Sequence, residues 1–415
     1  MIKNILIICS VLVFTSSAWA EKPDIEWKGK YRVRAFQYGG QSTVNGYLMG
    51  KGSNEVTYFD LFFRNEVFIH TGSIFTIKTK FDTFAVFGEN DASIGGNDLG
   101  FQIRNIYLSA DMKHTQIEIG FLPFTIPGGF ILATDGGGAK IVSDIKKIPI
   151  KVYGYWLKAF DNSRYDFGNG VGVNNYVDSD IYSVGFQIYG IESKAISGFP
   201  IDIYYVYHHD KDHLNGSRNQ LHWAGLHSEL FSGRFFTKLD AIYNFGDITD
   251  AGKTTQIKAG LASLIFGFML DKIHLKAFAE TATGDLENPN RDDTFQNIKG
   301  SHYISNIVVD NSGGMSIHSG AGFAGLFATG MGASFSIQRL TFDFTYAHFR
   351  GLTSMNYAYG NEFDLNTVYL VRENITLNLN CGIFLPDQGY ADYTAQNTGW
   401  QYPVYEVIAA VNVKY

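Results

Sequence analysis

Apolar and polar residues alternate along most of this chain, and neither kind gathers into long runs. From position 25 the odd residues Ile25, Trp27, Gly29, Tyr31, Val33 and Ala35 oppose the even residues Glu26, Lys28, Lys30, Arg32 and Arg34. A strand places two such sets on opposite faces. The same period of two returns at 57–70, 74–87, 234–246, 272–283, 340–350 and 375–385. These stretches of 10 to 14 residues are long beside the ~5–6 of a typical soluble strand. They match a tilted membrane-crossing strand of ~9–11 residues with an overhang.

Turn signals supply the count. Short connections are predicted at 71–73, 111–115, 145–148, 192–198, 232–233, 268–271, 338–339 and 373–374. Long ones are predicted at 39–54, 88–98, 124–137, 161–178, 209–219, 247–254, 285–320, 351–360 and 386–402. The two kinds alternate strictly once a weak strand is admitted at 138–144. Eight short and nine long connections then join 18 strands in one all-β, antiparallel transmembrane barrel, with 16 strands as the alternative. Both ends fall on the short-turn side, which is periplasmic in outer-membrane barrels. The strand around 102–108 keeps step only with a bulge near Asn105.

Composition agrees with a barrel. The chain has 415 residues, 15% aromatic and only 18% charged, with 45 Gly and 8 Pro. Residues 1–20 read as a secretory signal peptide: Lys3, an apolar run over 5–14, and Ala18-Trp19-Ala20 before a cleavage expected after Ala20. Its removal leaves 395 residues as a single barrel domain over 21–415 and, with Lys3 gone, a net charge of −8 instead of −7. Cys381 is then the one cysteine, which excludes a disulfide scaffold. The acidic balance excludes a nucleic-acid binder. The final strand alternates Tyr405, Val407, Ala409, Val411, Val413 and Tyr415 with Glu406, Ala410, Asn412 and Lys414. It has the form of a strand that barrel-assembly machinery recognises on insertion into the outer membrane, among lipid and lipopolysaccharide.

A barrel of 16–18 strands cannot be filled by its own side chains and leaves an aqueous channel. With the polar face of each strand inward, the basic candidates for its lining are Lys28, Lys30, Arg32, Arg34, Arg64, Lys78, Lys80, Arg104, Arg234, Lys238, Lys258, Lys276 and Lys414. The acidic ones are Glu26, Asp60, Glu66, Asp82, Glu118, Asp202, Asp240, Glu280, Asp343, Glu362, Asp364 and Glu406. The wall is near neutral, but the first three strands carry most of the cations. Two readings follow: cross-strand pairing with Asp60, Glu66 and Asp82, or a basic ladder that guides anions.

Other chemistry is sparse. His208, His209, Asp210, Asp212 and His213 match no closed zinc spacing. The acidic stretches 90–98 and 285–293 lack the EF-hand spacing. Asp135-Gly136-Gly137-Gly138-Ala139-Lys140 lacks the phosphate-loop spacing and reads, with Pro127-Gly128-Gly129, as a loop able to fold into the pore. The longest connection, 285–320, is the stronger candidate lid. Neither Gly-x-Ser-x-Gly nor His-Glu-x-x-His occurs. No enzyme activity, cofactor or metal is therefore expected. Trp27, Trp156 and Trp223 suit an interfacial girdle; sugar stacking on Tyr and Trp, as in an adhesin, is the third reading.

Two segments carry a family resemblance. One is Glu280-Thr281-Ala282-Thr283-Gly284-Asp285 with Asn288-Pro289-Asn290 and Phe295. The other is Gly360-Asn361-Glu362-Phe363-Asp364-Leu365 with Tyr369, Ile375-Thr376-Leu377 and Phe384-Leu385-Pro386. Both resemble the alginate-export outer-membrane family over roughly the last third of the chain. The resemblance implies an 18-stranded monomeric barrel passing an anionic sugar polymer through a pore lined with Arg and Lys. The near-neutral wall and the short turns depart from an alginate exporter. The sequence thus points to a channel for small hydrophilic, anionic or sugar-like solutes, with polysaccharide export as the alternative.

Overall fold

The computed structural model describes residues 23–39, 43–44, 47–48, 56–87, 100–146, 148–158, 177–189, 200–212, 218–250, 252–284, 291–296, 298, 305–306, 325–352, 358–387 and 403–415. The expected leader and its cleavage after Ala20, His213 and the acidic stretch 90–98 lie outside them.

Eighteen long strands follow one another in the chain. They begin with β1 (Asp24–Gly39), β2 (Val56–Thr71), β3 (Phe75–Phe87), β4 (Gly100–Met112), β5 (Thr115–Thr125) and β6 (Ala133–Asp144). Next come β7 (Ile150–Lys158), β8 (Val177–Ile188), β9 (Ile201–Asp212), β10 (Arg218–Ser232), β11 (Phe235–Asp250) and β12 (Lys253–Leu270). The last are β13 (Ile273–Ala282), β14 (Leu326–Ile337), β15 (Leu340–Gly351), β16 (Ala358–Arg372), β17 (Ile375–Pro386) and β18 (Val404–Lys414). Each pairs antiparallel with its neighbours in sequence, and β18 pairs back onto β1, from Lys30 opposite Lys414 to Gly39 opposite Tyr405. The sheet is therefore a closed barrel with no free edge. The expectation of 18 strands holds, including the weak one, which runs over the whole of 133–144.

The faces are inverted relative to a soluble protein. Ile25, Trp27, Ile103, Ile106, Ile119 and Val184 are exposed, whereas Asp82, Glu118, Asp202, Asp240 and Glu362 are buried. Burying charge inside and leaving Ile outside is favourable only where the outer solvent is hydrocarbon and the inner one is water or protein.

Three corrections concern connections. The glycine-rich run 135–140 is not a loop but the middle of β6. Glycine is needed there because a side chain at Gly138 would run into the Trp156 carbonyl of β7. The connection expected over 247–254 shrinks to residues 251–252, since β11 and β12 continue to Asp250 and from Lys253. The stretch 209–219 likewise becomes strand at both ends, to Asp212 and from Arg218. The bulge near Asn105 is present: Lys80 pairs with Asn105 and Phe81 with Ile103, so Arg104 is the extra residue.

The closing seam is reinforced on the outer face. Gly29 and Tyr415 exchange backbone hydrogen bonds at 3.0 and 3.1 Å. The Tyr415 ring covers Gly29, where any side chain would displace it. The Tyr415 hydroxyl donates to Asn65 Oδ1 at 2.7 Å, and Trp27 Nε1 donates to the same oxygen at 3.0 Å. Asn65, only 2% exposed on an otherwise apolar face, is thereby satisfied.

Candidate pore lining and constriction

The basic stripe on β1–β4 is largely paired across strands. Arg34 Nε donates to both Asp60 oxygens at 3.0 Å. Arg64 grips Asp82 with two hydrogen bonds of 2.7 Å. Lys80 lies 3.4 Å from Glu66, Lys28 2.7 Å from Glu26, and Lys78 3.2 Å from Glu118. The bulge turns Arg104 inward, where it reaches Asp135 at 2.7 Å and Asp82 at 3.8 Å. Bidentate Arg–carboxylate pairs hold their geometry better than lysine pairs do. Among the described residues, Lys30 and Arg32 have no carboxylate within ion-pair distance. The Arg32 guanidinium lies 4.9 Å from the Phe62 ring centre, and Arg64 flanks the same ring at 5.1 Å.

Opposite this stripe, two connections fold into the barrel. Leu122 and Phe124 at the end of β5, together with Ile126, Phe130, Ile131 and Leu132, are almost wholly buried. At the tip, Gly128 (φ +78°) approaches the Asp240 carboxylate of β11 so closely that a side chain would not fit. The second connection follows β13. Arg291 and Asp292 lie parallel to Gln256 and Ile257 of β12. Phe295 is 1% exposed. Gln296 receives the Trp223 indole N–H on its carbonyl at 2.8 Å and donates its own N–H to Asn244 Oδ1 at 3.1 Å. The Ile298 N–H bonds to the Ile131 carbonyl at 3.0 Å, joining the two connections. Further along, Asn306 reaches β16, donating its N–H to Asp364 at 3.3 Å and its side-chain amide to Asn366 at 3.1 Å. The long connection thus meets both β10–β12 and β16 and narrows the bore.

Most sequence-selected residues stand on the inner face. These are Lys28, Lys30, Arg32, Arg34, Asp60, Arg64, Glu66, Lys78, Lys80, Asp82 and Arg104 on β1–β4; Glu118 on β5; and Asp202, Lys238 and Asp240 on β9 and β11. Lys276, Glu280, Asp343, Glu362, Asp364, Glu406 and Lys414 complete the set. Two do not belong to the wall. Arg234 lies in the exposed turn between β10 and β11. Lys258 points outward, because the buried parity of β12 is Ile257, Ala259, Leu261 and Ser263. The rule that polar residues face inward inverts there, since the inner wall packs on the inward connections rather than on water. Tyr153, Leu157, Ile181, Tyr204, Val206 and Leu221 face inward for the same reason. Trp223 is likewise no girdle residue, being fully buried inside, whereas Trp27 and Trp156 are exposed outside.

Sequence reasoning missed four contributors. Asp135 and Lys140 were hidden in the glycine-rich run; Lys140 lies 3.6 Å from Glu118. His227 bonds Asp240 at 2.7 Å, and Glu229 bonds Lys238 at 2.5 Å. Both lie on β10, whose register only the pairing with β11 reveals. Among the described residues no group of three or more His, Cys, Asp or Glu has metal-site geometry. Ser179 Oγ lies 2.9 Å from His208 Nε2, but Ser179 is 3% exposed and out of reach of a substrate.

The chain therefore has the architecture of an outer-membrane channel: a closed, 18-stranded antiparallel barrel with a water-facing interior and inward-folded connections. Solved structures share it. OccAB3 of Acinetobacter baumannii superposes with a TM-score of 0.61 at 10% identity, over 94% of this chain and 99% of its own. OccK5 (OpdH) of Pseudomonas aeruginosa gives 0.58 at 14% identity, over 94% and 98%. OpdK of the same organism, in a structure with vanillate, gives 0.59 at 10% identity, over 94% and 98%. At such identities the likeness establishes the fold. These similar structures are Occ and Opd proteins, not alginate exporters. No protein-family model and no curated protein matches the sequence.

Proposed function

We propose that this protein is an outer-membrane channel that passes small hydrophilic solutes, with anions favoured. The carrying observation is the pair Lys30 and Arg32: two inward cations with no carboxylate in reach among the described residues, beside Phe62, on a wall whose other cations are largely paired. A guanidinium without a salt bridge attracts an anion without having to break one. OpdK has been solved with vanillate, and a solute of that size and charge suits Arg32 and Phe62. The protein works without catalysis, cofactor or metal. Its surroundings are outer-membrane lipid and lipopolysaccharide, reached after removal of residues 1–20. Assembly uses the C-terminal strand ending at Tyr415.

Charge reversal tests the proposal. In planar bilayers the double variant Lys30→Glu, Arg32→Glu is expected to lower the anion-to-cation permeability ratio severalfold, with single-channel conductance retained. An unchanged ratio would sink the anion preference, and no current from the refolded wild type would sink the channel reading. Export of an anionic polysaccharide, implied by the resemblance of the last third to alginate exporters, needs residues 126–132 and 291–296 to leave the bore.

A further inference from the structure

The outer face of β5–β10 carries a groove of about 640 Å³. Its floor is made of small residues, Ala139 and Gly154, and its sides include Trp156, Tyr182, Val184 and Tyr205. The volume lies within the range of sites that hold small molecules, ~300–1,000 Å³.

Two rows of residues start beside its long-connection end and run across the sheet to β12. In the first, Trp156, Tyr182, Tyr207, His222, Phe245 and Lys258 stand directly opposite one another on β7–β12. Their rings stack continuously: Tyr182 on Tyr207 at 6.3 Å, Tyr207 on His222 at 4.8 Å, and His222 on Phe245 at 5.0 Å. The Tyr205 hydroxyl and His222 Nδ1 are 2.5 Å apart, which fixes the ring plane. Two residues nearer the loops, the second row holds Lys158, Asp180, His209, Gln220, Asp247 and Gln256. Asp180 is already held by Lys158 and by Trp156 Nε1, each at 3.0 Å. Lys258 and, at the rim, Arg218 are exposed, and neither has an ion-pair partner among the described residues. The surface is thus amphipathic in one direction: apolar groove, aromatic ledge, then polar and cationic groups.

We infer that this groove binds one lipopolysaccharide molecule, an acyl chain lying over Gly154 and a phosphate meeting Lys258 and Arg218. The long connections lie outside the cell, so the polar row lies on the headgroup side of the groove. A second copy of the chain would find an apolar slot but no use for the cations above it. The inference rests on the outer-membrane reading and deepens it by naming a lipid partner and its site.

Gly154 allows a clean test. A side chain there meets only Ile141 Cγ2 at 3.4 Å and the Ser183 carbonyl at 3.9 Å, so Gly154→Leu fills the groove without crowding the sheet. The purified barrel would be stripped of lipid, incubated with lipid A or with phosphatidylethanolamine, and weighed by native mass spectrometry. Wild type is expected to keep one lipid A through detergent exchange, Gly154→Leu to retain at least tenfold less, and Lys258→Glu to retain severalfold less. Single-channel conductance of each variant checks that it is folded. Equal retention by Gly154→Leu, equal retention of phosphatidylethanolamine by the wild type, or a stable dimer would overturn the inference. A barrel that conducts but keeps no lipid A refutes this site alone; one that keeps lipid A but does not conduct refutes the channel reading alone.

Discussion

Asn65 and Tyr415 show how much rests on single side chains in a barrel. An amide on the hydrocarbon-facing side would be costly if left unpaired, yet Trp27 and Tyr415 both donate to it. Tyr415→Phe removes one donor while keeping the ring stacked on Phe63 at 6.0 Å. The expected loss is about 0.5–1.5 kcal/mol, read as a lower urea midpoint in micelles; an unchanged midpoint would show that the hydroxyl contributes nothing to seam stability. Trp223 acts at the same scale inside the bore. Trp223→Phe keeps an aromatic ring but deletes the bond to the Gln296 carbonyl and part of the buried indole, so noisier and larger single-channel currents are expected. Currents identical to the wild type would show that this bond does not hold the long connection.

At the scale of elements, the inward connection 126–132 accounts for the apolar inner wall of β7–β12. Its residues Ile126, Phe130, Ile131 and Leu132 bury against inward-facing Tyr204, Val206 and Leu221 in one cluster. Replacing 127–130 by a two-residue turn is expected to raise conductance and to expose that wall, which dye binding would report. Conductance at or below the wild-type value would place the constriction elsewhere. The bulge on β4 is the other element-level device. It sets Arg104 beside Asp82 and Asp135 while leaving Ile103 and Ile106 both outside. The alternation of the sequence required an extra residue near Asn105, but only the ladder with β3 shows which residue it is.

For the whole molecule, the proposed anion preference rests on cations without a carboxylate partner among the described residues rather than on net charge. Salt screens charges over ~10 Å at 0.1 M and ~3 Å at 1 M. The anion-to-cation ratio is therefore expected to be highest in 0.1 M KCl and to fall toward unity in 1 M KCl. A ratio independent of salt would point to selection by size.

Strand number, antiparallel order, the position of both ends and the inward placement of the selected carboxylates follow from the alternation in this sequence. A strand's period of two is local and needs no knowledge of its neighbours. What the alternation does not contain is what lies on the far side of the inner face. Where that is water, as along β1–β4, polarity and orientation agree, and Lys30 and Arg32 are legible from the chain. Where connections fold back inside, as against β7–β12, the inner face becomes a protein interior, and Trp223 and Lys258 exchange the sides that polarity assigns them. Pairing, too, is decided by register: Arg34, Arg64 and Lys80 are ion-paired and, among the described residues, Arg32 is not, because of which residues the neighbouring strands place opposite and diagonal to them, a property of the closed sheet.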